Sequence, residues 1–324
     1  MVQSVTELGV VLYPGAQQAA VLGITDLFQT AHDLSQKDGE SAGRLRITHW
    51  DLAGGAAPER VFDTLPGSTE SPRVLTLPPS LQPLETIRAE TALSHWLKVQ
   101  HEIGVVLTSV CAGAFVLAST GLLNGRTATT HWMYRDDLAK GYPDIKLDTD
   151  RLIIDDGDII TAGGSMAWTD LGLRLVERYL GPKVMIDTAR LLLIDPPGRE
   201  QRFYSGFAPN LNHGDAAILR VQHWLHGSDA KDSSVALLAE KAGLEERTFL
   251  RRFQRATGMT SNDYAQRVRV NKARELLQFG REPIESVAWK VGYRDPGAFR
   301  KVFTRIVGLG PGDYRKRFGA LRDR

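Results

Sequence analysis

Only one cysteine, Cys111, stands among the 324 residues, which excludes an internal disulfide framework. Long apolar runs are absent as well: no stretch reaches the roughly 18 residues needed to span a bilayer, so a soluble protein without a membrane partner is expected. The N-terminus has neither the basic stretch nor the apolar block of a signal peptide, and with a solitary thiol this leads to the expectation of a cytoplasmic location. The histidines, including His213, show no metal-ligand spacing, and no glycine loop of the phosphate-cradling kind occurs. Neither a metal nor a nucleotide or other cofactor is therefore expected.

Strong net charge is also missing, but the formal +2 conceals a division. Residues 215–324 hold 22 Lys+Arg against 13 Asp+Glu, a net of +9, while the first 214 residues stand at −7. A basic module attracts phosphate backbones without regard to sequence, and an acidic companion stays off them. With 42% hydrophobic residues the chain has material for two ordinary cores.

The first part alternates apolar runs with helical patterns. Residues 8–12 (LGVVL) end at Pro14-Gly15, and a helical pattern follows through Leu22, Leu27, Phe28 and Ala31. Apolar runs at 45–52, 74–77 and 103–110 alternate with helical stretches near 81–100 and 112–123. Asp156-Gly157 reads as a hairpin turn, with helices near 165–180 and 182–194 after it. Residues 1–194 are thus expected to form one α/β domain with a mostly parallel sheet covered on both faces. Residues 195–214, rich in Pro, Gly and Asn, read as a linker, partly packed on account of Phe203, Tyr204 and Phe207.

Residues 215–324 are helical throughout and contain a duplication. Val235, Leu238, Ala239, Ala242 and Gly243 recur 49 residues later as Ile284, Val287, Ala288, Val291 and Gly292. Phe249, Phe253, Gly258, Asp263 and Tyr264 recur 50 residues later as Phe299, Phe303, Gly308, Asp313 and Tyr314, so the second copy has one more residue in its turn. Each copy reads as helix, turn and longer helix, the helix-turn-helix pattern. Ala236, Ala239 and Ala242 are expected to let the paired helices approach. Phe249 and Phe253, and likewise Phe299 and Phe303, belong to the core face. Arg247, Thr248, Arg251, Arg252 and Arg255 occupy other faces of the first long helix, and Arg300, Lys301, Thr304 and Arg305 those of the second. Arginine pairs through its planar fork with guanine edges or phosphate oxygens. Double-stranded DNA is the expected partner; an all-α interaction module with a solvated basic face is the plainer alternative.

The stretch AEKAGLEERTFLRRFQRATGMTSNDYAQRVRVNKARELL, followed by IESVAWKVGYRDPGAFRKVFTRIVGLGPGDYRKRF, resembles the DNA-binding domain of AraC/XylS-family transcriptional regulators down to Gly308, Pro311, Tyr314 and Arg315. The resemblance implies a domain that presents both recognition helices to successive major-groove segments on one DNA face, ~34 Å apart. It also implies base or backbone contacts from Arg247, Leu250, Arg251, Pro296, Gly297, Arg300 and Lys301, with a connector helix at 261–278 setting the spacing.

In the first domain, GVVLTSV, Cys111-Ala112-Gly113-Ala114 and FVLASTGLL read as strand, tight turn and helix. This puts Cys111 at an elbow beside a helix N-terminus that favours a thiolate, where α/β folds place ligands. Simple packing of a small apolar side chain is the alternative. With LYPGAQQ and ATTHW, the segment resembles the ThiJ/PfpI branch of the class I glutamine amidotransferase-like fold, a doubly wound, flavodoxin-like α/β domain. SVCAGAFVLASTGLLNGRTATTHW is similar to the GlxA-type subgroup, in which such a domain precedes an AraC-type one. The resemblance implies a sensor for a small metabolite, such as an amino acid or quaternary amine, with Gly15, Cys111, Ala112 and His131 as candidate ligand contacts, Trp132 or Trp168 facing a cation, and a homodimer formed through the α/β domain.

Enzymes of that superfamily carry an acid on the first helix, where this chain has Ala20. They also draw amides from a Gly-Gly turn where this chain has Leu77-Pro78-Pro79-Ser80, and protease-like members have a histidine where Ala112 stands. A regulator without catalytic residues is therefore expected. A Cys111-dependent amidase or deglycase with an appended DNA-binding domain is the rival, and an architectural nucleic-acid binder the third reading.

Overall fold

The computed structural model describes residues 5–37, 44–52, 58–67, 71–84, 87 and 91–320. They form two compact units, divided between Gln201 and Arg202.

The first unit runs β1 (Val5–Leu12), α1 (Gln18–Lys37), β2 (Arg44–Asp51), β3 (Glu59–Asp63), β4 (Val74–Leu77), α2 (Thr91–Glu102), β5 (Val106–Val110), α3 (Gly113–Ser119), β6 (Thr127–Ala128), α4 (Arg135–Gly141), β7 (Lys146–Leu147), β8 (Ile153–Asp155), β9 (Ile159–Ala162), α5 (Trp168–Leu180) and α6 (Pro182–Leu192). Its main sheet has the order β3-β2-β1-β4-β5-β9-β8, with antiparallel β3 and β8 at the edges. The five parallel strands between them, counted in order of appearance, lie 2-1-3-4-5, the flavodoxin-like arrangement. Strands β4, β5 and β9 are buried at every position, as both-face coverage requires. Accordingly the helices fall into two groups: α1, α5 and α6 pack on one another, while α2 and α3 pack together against β5.

Several expectations shift by local physics. The run at 103–110 becomes a strand only from Val106, because Gly104 turns the chain with φ +90° at the end of α2. The described α-helix in the 81–100 stretch starts at Thr91, and residues 81–83 are not helical. Leu22 faces outward, 57% exposed, so α1 buries a narrower stripe than its apolar pattern implied. Edge strand β3 and the small parallel pair β6-β7 carry no clear period of their own and exist through pairing with distant strands.

A charged cluster is sealed under the β1-β2-β3 edge. Glu7 and Arg46 are register partners on β1 and β2, both 0% exposed, and joined at 3.0 Å. Arg46 forks onto Asp63 of β3 at 2.9 and 2.5 Å, and Thr48 donates to Glu7 at 2.8 Å. The Arg46 guanidinium holds the Asp63 carboxyl below its usual range.

The second unit contains α7 (Ala216–Gly227), α8 (Val235–Ala242), α9 (Glu246–Thr257), α10 (Ser261–Phe279), α11 (Ile284–Lys290), α12 (Pro296–Val307) and α13 (Pro311–Phe318). It has two cores. Leu238, Phe249, Phe253, Tyr264 and Val268 belong to the first, and Val270, Leu277, Val287, Phe299, Phe303 and Tyr314 to the second. Helix α10 contributes its N-terminal half to one core and its C-terminal half to the other, a rigid bar about 28 Å long at 1.5 Å per residue. Ala236, expected at a close helix approach, is on the outer face instead, leaving Leu238, Ala239 and Ala242 to bury α8. Within the stretch 195–214, Gln201 is buried in the first unit and Phe203 in the second.

Removing Arg46 leaves the buried Glu7 carboxylate with only the longer Arg60 contact, at 3.3 Å, to offset its charge. Arg46→Met is expected to destabilise the first unit by about 3–5 kcal/mol, read as a lower urea midpoint. The depressed Asp63 pKa adds stability that is present above about pH 4 and disappears as pH falls through the native value. The urea midpoint of an Asp63→Asn variant should accordingly fall less than the parent's as pH drops below about 4.

Candidate nucleic-acid interface and ligand elbow

Strand β5 delivers Cys111 to the turn before α3 with φ +55°, a left-handed conformation that a non-glycine residue holds only when its surroundings force it. Those surroundings are explicit. The Cys111 amide donates to Ala162 O at 2.7 Å, and its carbonyl accepts from Thr130 Oγ1 at 2.8 Å. A Cβ on Gly113 would lie 2.6 Å from Leu77 O, so the elbow presses directly against the end of β4.

Burial decides the state of the thiol. Cys111 is 3% exposed, and desolvation pushes its pKa up to about 11 against a smaller lowering by the Ala112 amide. The thiolate expected from the neighbouring helix N-terminus is thus disfavoured, because seven-residue α3 does not offset the loss of solvent. Tyr13, buried beside it, donates its hydroxyl to Pro78 O at 2.5 Å and is raised in pKa, chiefly by burial. His131 precedes a 3-10 turn at Trp132–Tyr134, where its Nδ1 accepts from the Met133 amide at 3.1 Å. Burial lowers its pKa, so the ring is neutral at pH 7 with its proton on Nε2.

Two carbonyls of the turn after β4 are occupied. Pro78 O takes the Tyr13 hydroxyl, and Pro79 O takes the Gln17 amide at 2.7 Å. Ala20, where the resemblance to the superfamily's enzymes would place an acid, is buried in α1. Gly15 follows β1 with φ +83°, and a side chain there would run into Gln82 and the Ser80 hydroxyl. Loops after β1 and β4 therefore meet at the point where strand order reverses, the place where open α/β sheets bind ligands. Beside them lies an open depression of about 640 Å³ lined by Leu81, Gln82, Pro83, Leu84, Tyr134 and Asp137. Ala112 is fully buried at the elbow, and Gly15 and His131 are partly exposed. Of the two tryptophans, Trp168 lies across Gly23 of α1, and Trp132 is tilted against the His131 ring at 5.6 Å. No group of three or more His, Cys, Asp or Glu among the described residues is placed to hold a metal ion.

On the second unit the two long helices of the repeat show matching faces. Arg247, Leu250, Arg251 and Gln254 are exposed on α9, and Gly297, Arg300, Lys301 and Thr304 are exposed on α12, each set 50 residues after its counterpart. The spacing i, i+3, i+4, i+7 makes each set one stripe, opposite the buried phenylalanine pair. Leu250, 41% exposed, is an apolar side chain in the first stripe. Pro296 is partly exposed at the first turn of α12, whose N-cap Asp295 accepts from the Gly297 and Ala298 amides at 2.9 and 3.0 Å. Arg247, Arg251 and Lys301 have no ion-pair partner among the described residues, whereas Arg300 reaches Glu285 at 2.5 Å. Arg252, grouped with the polar set from sequence, is instead engaged with Asp215, the N-cap of α7, at 2.9 and 2.7 Å.

Comparison with known proteins agrees with both halves. A helix-turn-helix domain model matches residues 238–317, and a DJ-1/PfpI family model matches residues 69–178. The HTH-type transcriptional regulator GlxA of Rhizobium meliloti is 28% identical over 236 residues, 72% of each chain. The HTH-type transcriptional regulator CdhR of Pseudomonas aeruginosa is 29% identical over 240 residues, 73% of this chain and 67% of the relative. An isonitrile hydratase of Pseudomonas putida is 38% identical over 112 residues, 34% of this chain and 41% of the enzyme. The chain joins a DJ-1/PfpI domain to a helix-turn-helix domain, and it is a DNA-binding transcriptional regulator.

A buried thiol with a pKa near 11 reacts slowly at neutral pH. Iodoacetamide should modify native Cys111 on the order of a hundredfold more slowly at pH 7 than an unperturbed cysteine, with the rate climbing toward pH 11. Mass spectrometry of the native protein reads this directly, and labelling as fast as that of an unfolded control would contradict the assignment.

Proposed function

We propose that the chain binds promoter DNA by laying the exposed stripes of α9 and α12 into successive major-groove segments. Arg247, Leu250 and Arg251 act from the first helix, and Pro296, Gly297, Arg300 and Lys301 from the second. The observation that carries this reading is the pair of register-matched stripes, both facing away from aromatic cores and linked through one continuous helix, α10. Arg251 and Lys301 occupy equivalent positions and are available for guanine edges or phosphates. Arg300 must exchange Glu285 for a DNA acceptor.

In this reading the first unit is the sensor. A small metabolite, of the amino acid or quaternary amine kind, occupies the elbow region around Gly15, Cys111, Ala112 and His131 and the depression beside it. It controls DNA binding by favouring one arrangement of the protein over another. The protein works in the cytoplasm as a homodimer joined through α5 and α6; the exposed Ile186, Leu191, Leu192 and Leu193 support that surface. It is not an enzyme. Support comes from a protonated thiol, from Ala20 in place of an acid, and from carbonyls occupied at the turn where a hydrolase needs free amides. Likeness to an isonitrile hydratase keeps a Cys111-dependent reaction on carbon–nitrogen bonds as the alternative.

Arg251→Ala and Lys301→Ala should each weaken promoter binding, by about 1–3 kcal/mol where the side chain reads a base, or with a salt-dependence slope reduced by about one where it holds a phosphate. Footprints and salt titrations unchanged by both substitutions would overturn the helix placement. Cys111→Ser should leave promoter binding intact, and a thermal-shift screen of amino acids and quaternary amines should yield a ligand that raises the melting temperature. Turnover of amides or isonitriles that is lost in Cys111→Ser would favour the enzyme instead.

A further inference from the structure

The first unit ends on a side chain that is bonded into its interior. Gln201 is 2% exposed, and its amide nitrogen donates to Thr129 Oγ1 at 2.9 Å, Thr130 O at 2.8 Å and Arg151 O at 3.0 Å. Its oxygen accepts from the Trp132 amide at 3.1 Å. The side chain rests on Gly163, where a Cβ would occupy the same space as the Gln201 amide. A glutamine at a domain terminus gains nothing apolar from burial and keeps this position only because every polar atom is satisfied.

The loop that receives Gln201 is also the loop that braces the elbow. Thr130 gives its carbonyl to Gln201 and its hydroxyl to the Cys111 carbonyl. Thr129 gives its hydroxyl oxygen to Gln201 and its amide to Thr161 on β9. His131 lies between Thr130 and Trp132, both of which are bonded to Gln201. One residue further along the chain, Arg202 O accepts from Arg274 Nη2 at 2.7 Å, and Ser205 O accepts from the same guanidinium. Arg274 is a buried residue of α10, the bar that carries both halves of the DNA-binding unit. Consecutive residues are thus fastened to different units, with no slack chain between the fastenings.

We infer that Gln201 is a latch that reports the state of the Cys111 elbow to the DNA-binding unit. The inference rests on the reading of the elbow as the ligand site. A ligand that shifts the 129–132 loop strains all the bonds to Gln201 together, because they converge on one planar amide. A half-satisfied buried amide is costly, so the side chain is either fully seated or released. Arg202, fixed to α10 through Arg274, passes that choice on directly, whereas a flexible tether would absorb it. Gln201 therefore acts as a positioning residue for the DNA-binding unit, with no direct contact to ligand or DNA.

Amide hydrogen exchange on the full-length protein without ligand tests the latch. Thr130→Val removes only the hydroxyl that braces Cys111, and it should raise exchange about tenfold in peptides covering 199–205, matching the loss of one buried hydrogen bond. Gln201→Met, close in volume, should raise exchange reciprocally at Trp132 and in the 110–115 elbow peptide. It should also change promoter affinity at least about fivefold while leaving the salt-dependence slope unaltered, since the phosphate contacts are untouched. Gly163→Ala unseats the same amide from the opposite side and should reproduce these effects if Gln201→Met does not fold. Exchange changes that stay next to each substitution, or promoter affinity equal to the parent's, would overturn the inference. Because the exchange measurement needs no ligand, an elbow that binds nothing in the thermal-shift screen would defeat the sensor reading without altering this result.

Discussion

Two phenylalanines four residues apart, closed over by a tyrosine from the next helix, hold each recognition helix in place. Phe249 and Phe253 lie 5.4 Å apart by ring centroid, with Tyr264 edge-on to Phe253 at 5.3 Å. Phe299, Phe303 and Tyr314 repeat the arrangement at 5.5 Å and 5.5 Å. The tyrosine hydroxyls are tied to Gln222 and to Gln278. Once these rings occupy one face of a helix, the periodicity of the helix sends residues 247, 250, 251 and 254, or 297, 300, 301 and 304, to the other. Aromatic packing on one side thus determines which polar groups are offered to DNA on the other. Tyr264 belongs to α10, which also supplies Val270, Ala273 and Leu277 to the second core, so the same helix that closes the first triad carries the second half of the unit.

The first unit gathers its polar groups at the carboxyl ends of its central strands. A parallel sheet brings a cysteine in left-handed geometry to the carboxyl end of a central strand. Around it, however, Pro78 and Pro79 contribute occupied carbonyls, Ala20 contributes no acid, and burial keeps the thiol protonated. The buried Glu7–Arg46–Asp63 cluster lies at the opposite side of the sheet order from β9 and β8 and ties edge strand β3 to the centre.

Local signals were readable where local physics sets the outcome. Helix α10 ends one residue beyond the connector expected at 261–278, because amphipathic period and the Thr260 N-cap, like Asp295 at α12 and glycines at the C-caps of α8, α9 and α12, act within one turn of chain. Buried parallel strands were legible as short apolar runs for the same reason. Strand β3 and the β6-β7 pair were not, since their residues carry no strong pattern and their partners are remote in sequence. Leu22 and Ala236 misled in the opposite direction: apolar residues at plausible positions of a period, they are left outside because no second layer covers that part of the helix.

Sequence alone determined the order of the two domains, the duplication with its one-residue offset, the charge division and the elbow around Cys111, all of which are carried by residue type and spacing. Tertiary structure decided the rest, because it depends on which distant groups meet. Desolvation by the surrounding core, invisible in the run SVCAGAF, sets the thiol's protonation. Asp215 withdraws Arg252 from the basic face although 37 residues separate them. Gln201, an unremarkable polar residue in a Pro- and Gly-rich stretch, becomes a buried anchor only when Thr129, Thr130 and Arg151 converge on its amide. Hydrogen bonds and burial of this kind arise from three-dimensional neighbours, and no period in the chain encodes them.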